Sequence, residues 1–533
     1  MALLRVVANA FETAGHGIAT GAVALADEVP ELRDARRDQE RRLQLAARGV
    51  AQNARVVGGN LNRILGTTGV SALVLARIIS HPEQLRRIVE LVETHDFLAL
   101  LRALQSGAHF PDDFFPNWVR RAGGYFPKFA QVLSVRGDLI HNCEILTQFA
   151  RCLEDMPTRP NPVVWEYLLS LGWDQRICDG VGEALNAGTV AQVNALAMPD
   201  GRRAAVKVAW PDTRKQMQTD FRLFSHGRDI LAALRLDDEQ AHAVAAMFAA
   251  VSKSEAAVMR EFNMQEEAQA MLTASALCSS EWDGAYQTWV AESQLALAGL
   301  PPALASSGWA VKVPEPLGPA LCCESALAMS LAGGESLHKL LSGASSAGDA
   351  GRQEAAGMLI GFAVPFIGWL LLCKSTSHLA HVDPHPGNFR WDSALRTLWV
   401  LDWGSNVTLT AERRLSLCML VSLIAAEAPD DAIADTAVAF GVRCTDPCQL
   451  ARLWRGMLNA TSSFAAQDAI NVAAIDNLLD DVSEDVVPVV RCLATLGGLL
   501  KELQQTIRDE QGHDVPLSLA KLWATFAAMG LQS

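Results

Sequence analysis

The chain has no excess of basic residues. Its formal net charge of −14 at pH 7 argues against nucleic acid as a main partner, since a phosphate backbone needs a basic face. It has no zinc framework either. Its eleven cysteines are scattered and odd in number, Cys322 and Cys323 are the only adjacent pair, and Cys444 with Cys448 has no histidine nearby. Free thiols in a reducing compartment are the simplest account. No internal repeat and no low-complexity tail is present. With 50% hydrophobic residues in 533, the chain should be largely folded, in roughly two to four domains.

Paired hydrophobic spans are absent from the last hundred or so residues, which read as charged helices. The run AAGMLIGFAVPFIGWLLLC, residues 355–373, is long enough to cross a membrane. A buried helix, with Pro365 as a kink, is the expectation instead. The first 25 residues are apolar and acid-poor but contain Glu12 and a single arginine. They read as a weak transit-peptide or amphipathic membrane-contact signal rather than a secretory one. A mitochondrial or plastid location is therefore expected over a cytosolic one.

The apolar run is followed by a polar loop, HVDPHPGN. Asp383 is followed five residues later by Asn388, the spacing of the kinase catalytic loop. Asp402 and Gly404 follow about twenty residues on, inside LWVLDWG, where a kinase carries D-F-G. Phosphoryl transfer is mostly positioning and charge neutralisation, so it needs a few hard oxygens to hold magnesium beside phosphates. Pro384, Pro386 and Gly387 force a turn between the two polar residues. A lone D-x-x-x-x-N reads as an ordinary proline-rich loop; the D-W-G downstream favours the catalytic reading. His381 and His385 bracket Asp383 and read as loop supports rather than zinc ligands.

Upstream, RRAAVKVAW alternates small apolar residues around Lys207, the form of a phosphate-pairing lysine strand. Taken alone, Lys207 could equally guard a sheet edge. Before it, ALNAGTVAQV stands where a glycine-rich loop would cover a nucleotide. No G-x-G-x-x-G is present: Ala187, Thr189, Val190 and Ala191 surround Gly188. Small side chains permit backbone approach to phosphate, but alanine resists the φ > 0 conformations open to glycine.

These strings together resemble the UbiB/aarF-type atypical kinases, a family linked to ubiquinone and other prenyl-quinone pathways. The likeness runs from about residue 115 to about 405. PKFAQVLSVRGDLI is similar to the K-x-G-Q signature, and LEDMP, NAGTVAQV and VKV follow. REFNMQEEA is similar to E-x-D-x-x-x-E-A, LAMSLAGGESL to the hinge strand, and HVDPHPGN to the family's most diagnostic string. The resemblance implies an α+β, two-lobed protein-kinase-like fold with an N-terminal helical extension, binding ATP and magnesium.

By the same resemblance, Lys207 contacts the α and β phosphates and pairs with Glu267, and Asp383 stands where the catalytic base sits. Asn388 and Asp402 hold magnesium, and Met329 belongs to the adenine-side hinge strand. Lys128 and Gln131 lie three apart on one helix face and reach into the active site, with Glu261 as partner of Lys128. A solvated helix face is the alternative for that pair. In the family this helix fills the space of a protein substrate, which favours ATP hydrolysis or lipid phosphorylation over protein phosphorylation. Implied partners are ATP, lipid or prenyl-quinone intermediates with their enzymes, and a membrane surface touched peripherally. A catalytically weak nucleotide-binding scaffold and a conventional protein kinase are the alternatives. No A-P-E follows D-W-G, which counts against the last.

The chain departs from the family at Ala130, Asn263, Ser330 and Trp403. The expected organisation is a helical extension over 1–110, the K-x-G-Q segment over 111–180, a small lobe over 181–335 and a large lobe with C-terminal helices over 336–533. An insertion is expected near 270–310, with LAGLPPALASSG at the surface, and a flexible break at 342–351.

Overall fold

The computed structural model of the chain describes residues 114–128, 130, 156–232, 255–292, 309–342, 348–373, 379–444, 446–459, 479–483, 485–506 and 517–532. The helices expected over 1–110, Gln131 and the LAGLPPALASSG run lie outside the described residues. The chain forms two compact units, Met1–Phe126 with Lys215–Ser252, and Pro127–Arg214 with Lys253–Ser533.

In the first unit the helix Phe114–Ala122 ends at Gly123 and Gly124, whose φ angles of 58° and 57° turn the chain left-handed. The backbone N–H of Tyr125 then donates to the buried carboxylate of Asp220 at 2.9 Å, and its ring packs on Phe221 at 4.3 Å.

The second unit is mixed α+β. Helix α1 (Asn161–Ser170) precedes β1 (Val181–Ala187), β2 (Ala191–Ala197) and β3 (Arg203–Ala209). Then come β4 (Ala310–Lys312), β5 (Cys322–Cys323), β6 (Ala326–Ser330) and β7 (Glu335–Ser336), followed by β8 (Leu379–His381), β9 (Phe389–Asp392), β10 (Thr397–Val400) and β11 (Asn406–Thr408). The largest sheet is antiparallel, in the order β1-β2-β3-β6-β5. A second sheet runs β4-β10-β9-β7, with β4 and β10 parallel, and β8 pairs with β11.

The period of the strands decides which face does what. Ala204, Val206 and Val208 of β3 join Leu196, Ala326 and Ala328 in a core closed by Val164 and Leu168 of α1. Successive strand residues point to opposite faces, so Lys207 and Ala205 point the other way, opposite Leu327 and Met329 of β6. Gly180, just ahead of β1, has no room for a side chain: a Cβ there would lie 1.9 Å from the Ala197 carbonyl oxygen.

Helix α2 (Met264–Leu277) continues through a π-turn, Cys278–Trp282, into α3 (Asp283–Glu292). The described part of the stretch near 270–310 places two of its tryptophans in the core. Trp282 and Trp289 are buried, Trp282 against Phe366 and Trp369, and Trp289 stacked on Phe526. Helix α4 (Gly348–Met358) begins inside the run read as a flexible break.

Through a second π-turn, Leu359–Ala363, α4 becomes α5 (Val364–Leu372). By length and composition this helix could cross a membrane, and here its apolar stretch is fully buried. Pro365 has no N–H to give the Gly361 carbonyl four residues earlier, so the hydrogen bonding shifts register there. The Tyr286 hydroxyl donates to Gly361 O at 3.1 Å instead. Helices α6 (Ala411–Ala425) and α7 (Leu519–Gln532) complete the layer. The approach is close enough that a Cβ at Gly530 would meet Leu372 O at 2.2 Å.

Candidate active site

Lys207 is the centre of the site. Its Nζ donates to Glu267 Oε1 at 2.8 Å and to Asp402 Oδ1 at 2.6 Å. Strand β3 carries the lysine and α2 carries Glu267 one turn from its start. That start is set by Asn263, whose side-chain oxygen accepts the N–H groups of Gln265 and Glu266. The departure of Asn263 from the expected acidic residue therefore has a local role as helix cap, and an amide caps as well as a carboxylate does.

Asp402 lies in the left-handed region, φ 54°, which aspartate tolerates better than most residues. The neighbouring Leu401 N–H is held by the Asn388 carbonyl at 2.8 Å, so the loop of Asp383 and the segment of Asp402 run side by side. Trp403 is fully buried; its indole N–H reaches Val400 O at 3.1 Å, and its ring meets His381 edge-on at 5.1 Å. The larger ring thus satisfies its own polar group. His381, also buried, bonds Leu401 O through Nε2 at 3.0 Å and accepts the Asp383 N–H at Nδ1, 3.3 Å away. These bonds fix its tautomer, with the proton on Nε2. Asn388 donates its amide to Asp383 O at 3.1 Å, which leaves its side-chain oxygen as an acceptor.

The structure brings Lys128 to Glu261 at 2.8 Å, with both side chains mostly buried. Ser405, immediately after D-W-G, lies 3.5 Å from the same carboxylate. The sequence reading missed this serine, and no residue pattern announces it. Ala130 is buried. Ser330, a departure from the family on strand β6, accepts the Glu315 N–H at its hydroxyl, 2.9 Å away.

The segment Ala187, Gly188, Thr189, Val190 and Ala191 is the tight turn between β1 and β2, closed by Gly188 N–H to Ala191 O at 2.8 Å. None of the five takes a positive φ. Alanine therefore fits this turn without strain. Met329 stands on the Lys207 face of the sheet, opposite Ala205.

The electrostatics of the triad divide its two carboxylates. Burial pushes the Glu267 carboxyl up to about 7 against the pull of Lys207, and one of its oxygens has no hydrogen-bond partner. Partial desolvation by the surrounding protein also acts on Asp402, but the Lys207 ammonium overrides it, and with help from Lys128 holds that carboxyl down to about 2. Burial opposes the charge on Lys207, while Asp402 and then Glu267 outweigh it and raise its pKa. Asp402, whose side chain is 47% exposed, is the ionised oxygen donor that faces outward.

Asp402 and Asn388 suit magnesium by donor chemistry: one carboxylate and one amide oxygen, both hard, on adjoining backbone segments. Magnesium completes its shell with phosphate and water, so a protein cage is not required. Among the described residues no group of three or more His, Cys, Asp and Glu forms such a cage.

No family model matches the chain, and no curated protein matches it. Among solved structures, a complex of Rv3197 with erythromycin from Mycobacterium tuberculosis is similar at 13% identity and a TM-score of 0.39. The match covers 80% of this chain and 95% of that one.

Proposed function

We propose that this chain is a two-lobed, protein-kinase-like protein of the UbiB/aarF type that binds ATP with magnesium and turns it over in support of prenyl-quinone or related lipid metabolism. On this reading the five-stranded sheet belongs to the smaller lobe and helices α4 to α7 to the larger. The observation that carries it is the Lys207 ammonium bonded to both Glu267 and Asp402, 60 and 195 residues away in sequence. A phosphate-pairing lysine needs one carboxylate to orient it and lies beside the metal-holding one.

Each side chain then has a task. Lys207, oriented by Glu267, neutralises the α and β phosphates. Asp402 and Asn388 would hold magnesium, which supplies charge neutralisation at phosphate oxygens. Asp383, held by His381 and Asn388, accepts the proton of the attacking hydroxyl or water. The Lys128–Glu261 pair occupies the side of the site next to Ser405. The path from Gly404 to α6 is residues 405–410, too short for a long activation loop. Both features favour water or a lipid head group over a protein acceptor.

The test is magnesium-dependent ATP binding and hydrolysis by purified protein, with and without lipid vesicles or quinone-like phenols, beside a panel of protein substrates. Asp402→Asn is expected to abolish magnesium-dependent nucleotide stabilisation and keep the fold. Asp383→Asn is expected to keep binding and lose turnover. Unchanged ATP-dependent thermal stabilisation of the Asp402 variant refutes the assignment. Efficient phosphorylation of proteins with no response to lipid would restore the conventional-kinase alternative.

A further inference from the structure

We infer that His338 is a positioning residue for the loop that carries Asp383 and Asn388, acting through His385. The inference rests on the ATP-turnover reading above for its kinetic arm only.

His338 occupies the short helix Leu337–Leu341, which is anchored by two buried leucines, Leu337 and Leu340. The residues just before it form β7, paired with β9 at Trp391 and Arg390. The Arg390 guanidinium reaches back to Gly333 O at 3.2 Å and to Gly334 O. The segment leaving β6 is thereby tied to the strand that leaves the Asp383 loop, and His338 is held at a fixed height over that loop.

From there its ring stacks on His385, with centroids 5.7 Å apart and planes at 25°. That separation and tilt fall within the range of offset aromatic pairs. His385 is the residue whose own contacts shape the loop. Its Nδ1 accepts the Gly387 N–H at 3.1 Å, and its carbonyl accepts the Asn388 N–H at 2.9 Å. The approach is so close that a Cβ on Gly387 would lie 2.9 Å from Nδ1. A shift of the His385 ring therefore displaces the backbone of Gly387 and Asn388 directly. His381 supports the loop from the buried side through Leu401, and the His338–His385 stack supports it from the other.

An aromatic ring at 338 is what this role requires, and histidine chemistry is not. The experiment compares His338→Ala with His338→Phe, reading kcat, nucleotide Kd and amide hydrogen exchange over residues 383–390. A ring pair of this kind is worth a factor of about 2 to 12 in an equilibrium. His338→Ala is expected to lower kcat about fivefold and to raise exchange of the loop amides by a similar factor, with nucleotide Kd raised by no more than that factor through Asn388. His338→Phe is expected to restore both.

Parent-like kcat and exchange in His338→Ala overturn the inference, as does a Phe variant that behaves like Ala. Should His338→Ala fail to fold, His338→Gln removes the ring at similar length and is held to the same expectations. Absence of ATP turnover in the parent protein sinks the proposed function, and the exchange comparison then decides the inference alone.

Discussion

Replacing Lys207 by methionine tests the triad as a physical object, independently of any reaction. The substitution leaves an unbranched apolar side chain close to the length of the lysine stem and removes the ammonium between Glu267 and Asp402. Glu267, 2% exposed, is then left in the interior with no cation beside it. Breaking a buried ion pair from one side costs about 3–5 kcal/mol when the remaining charge has no escape. Here it has one. Burial already pushes the Glu267 carboxyl up to about 7 from an ordinary value of 4.5, and without Lys207 it would push it further.

The sign follows from proton counting. Between about pH 4.5 and 7 the folded parent binds a proton at Glu267 that the unfolded chain does not, so this group's contribution to stability falls as pH rises through that window. In Lys207→Met the same fall, about 1.4 kcal/mol per pH unit, continues above pH 7. The variant should therefore lose roughly 1 kcal/mol more than the parent between pH 6 and 8. Lys207→Met with Glu267→Met removes both buried charges and should recover most of the loss. Urea unfolding followed by tryptophan fluorescence at pH 6, 7 and 8 measures all three proteins. A pH-independent destabilisation, or a double variant no more stable than the single, would refute the reasoning.

The remaining predictions concern contacts at and behind the site. Glu261→Ala should destabilise the protein by about 1–3 kcal/mol in thermal unfolding, because it strands the mostly buried Lys128; parent-like melting and turnover in both this variant and Lys128→Ala would return the pair to a solvated face. Tyr286→Phe should cost about 1–3 kcal/mol in urea unfolding by orphaning the Gly361 carbonyl, with nucleotide binding unchanged. Gly530→Ala should lower the melting temperature, since the added methyl would lie 2.2 Å from Leu372 O; an unshifted melting curve would show that α5 and α7 can part at little cost.

Much of the site could be read in the sequence because its parts are locally specified. Proline and glycine force the HVDPHPGN turn, valine and alanine alternate around Lys207, and a run of small residues makes the β1–β2 turn. A buried helix over 355–373 is expected from the resemblance, which sets a central buried helix ahead of the catalytic loop, and its apolar stretch is buried. What these patterns leave open is which distant groups meet. Lys207 pairs with Glu267 across 60 residues and Lys128 with Glu261 across 133, and only chain packing sets those distances.

The tertiary structure alone decided the roles of the departures. Asn263 caps a helix, Trp403 finds Val400 O, and Ser330 holds Glu315. Each is a polar group whose partner is chosen by backbone geometry rather than by residue type. It also decided that the tryptophans after Glu267 belong to the core: Trp282 and Trp289 face α5 and α7 because a π-turn redirects the helix at Cys278–Trp282. Periodicity of 3.6 cannot foresee that change of phase. The Gly361 carbonyl likewise takes its hydrogen bond from a tyrosine 75 residues away, since the proline that leaves it open is visible in the sequence and the hydroxyl that closes it is not.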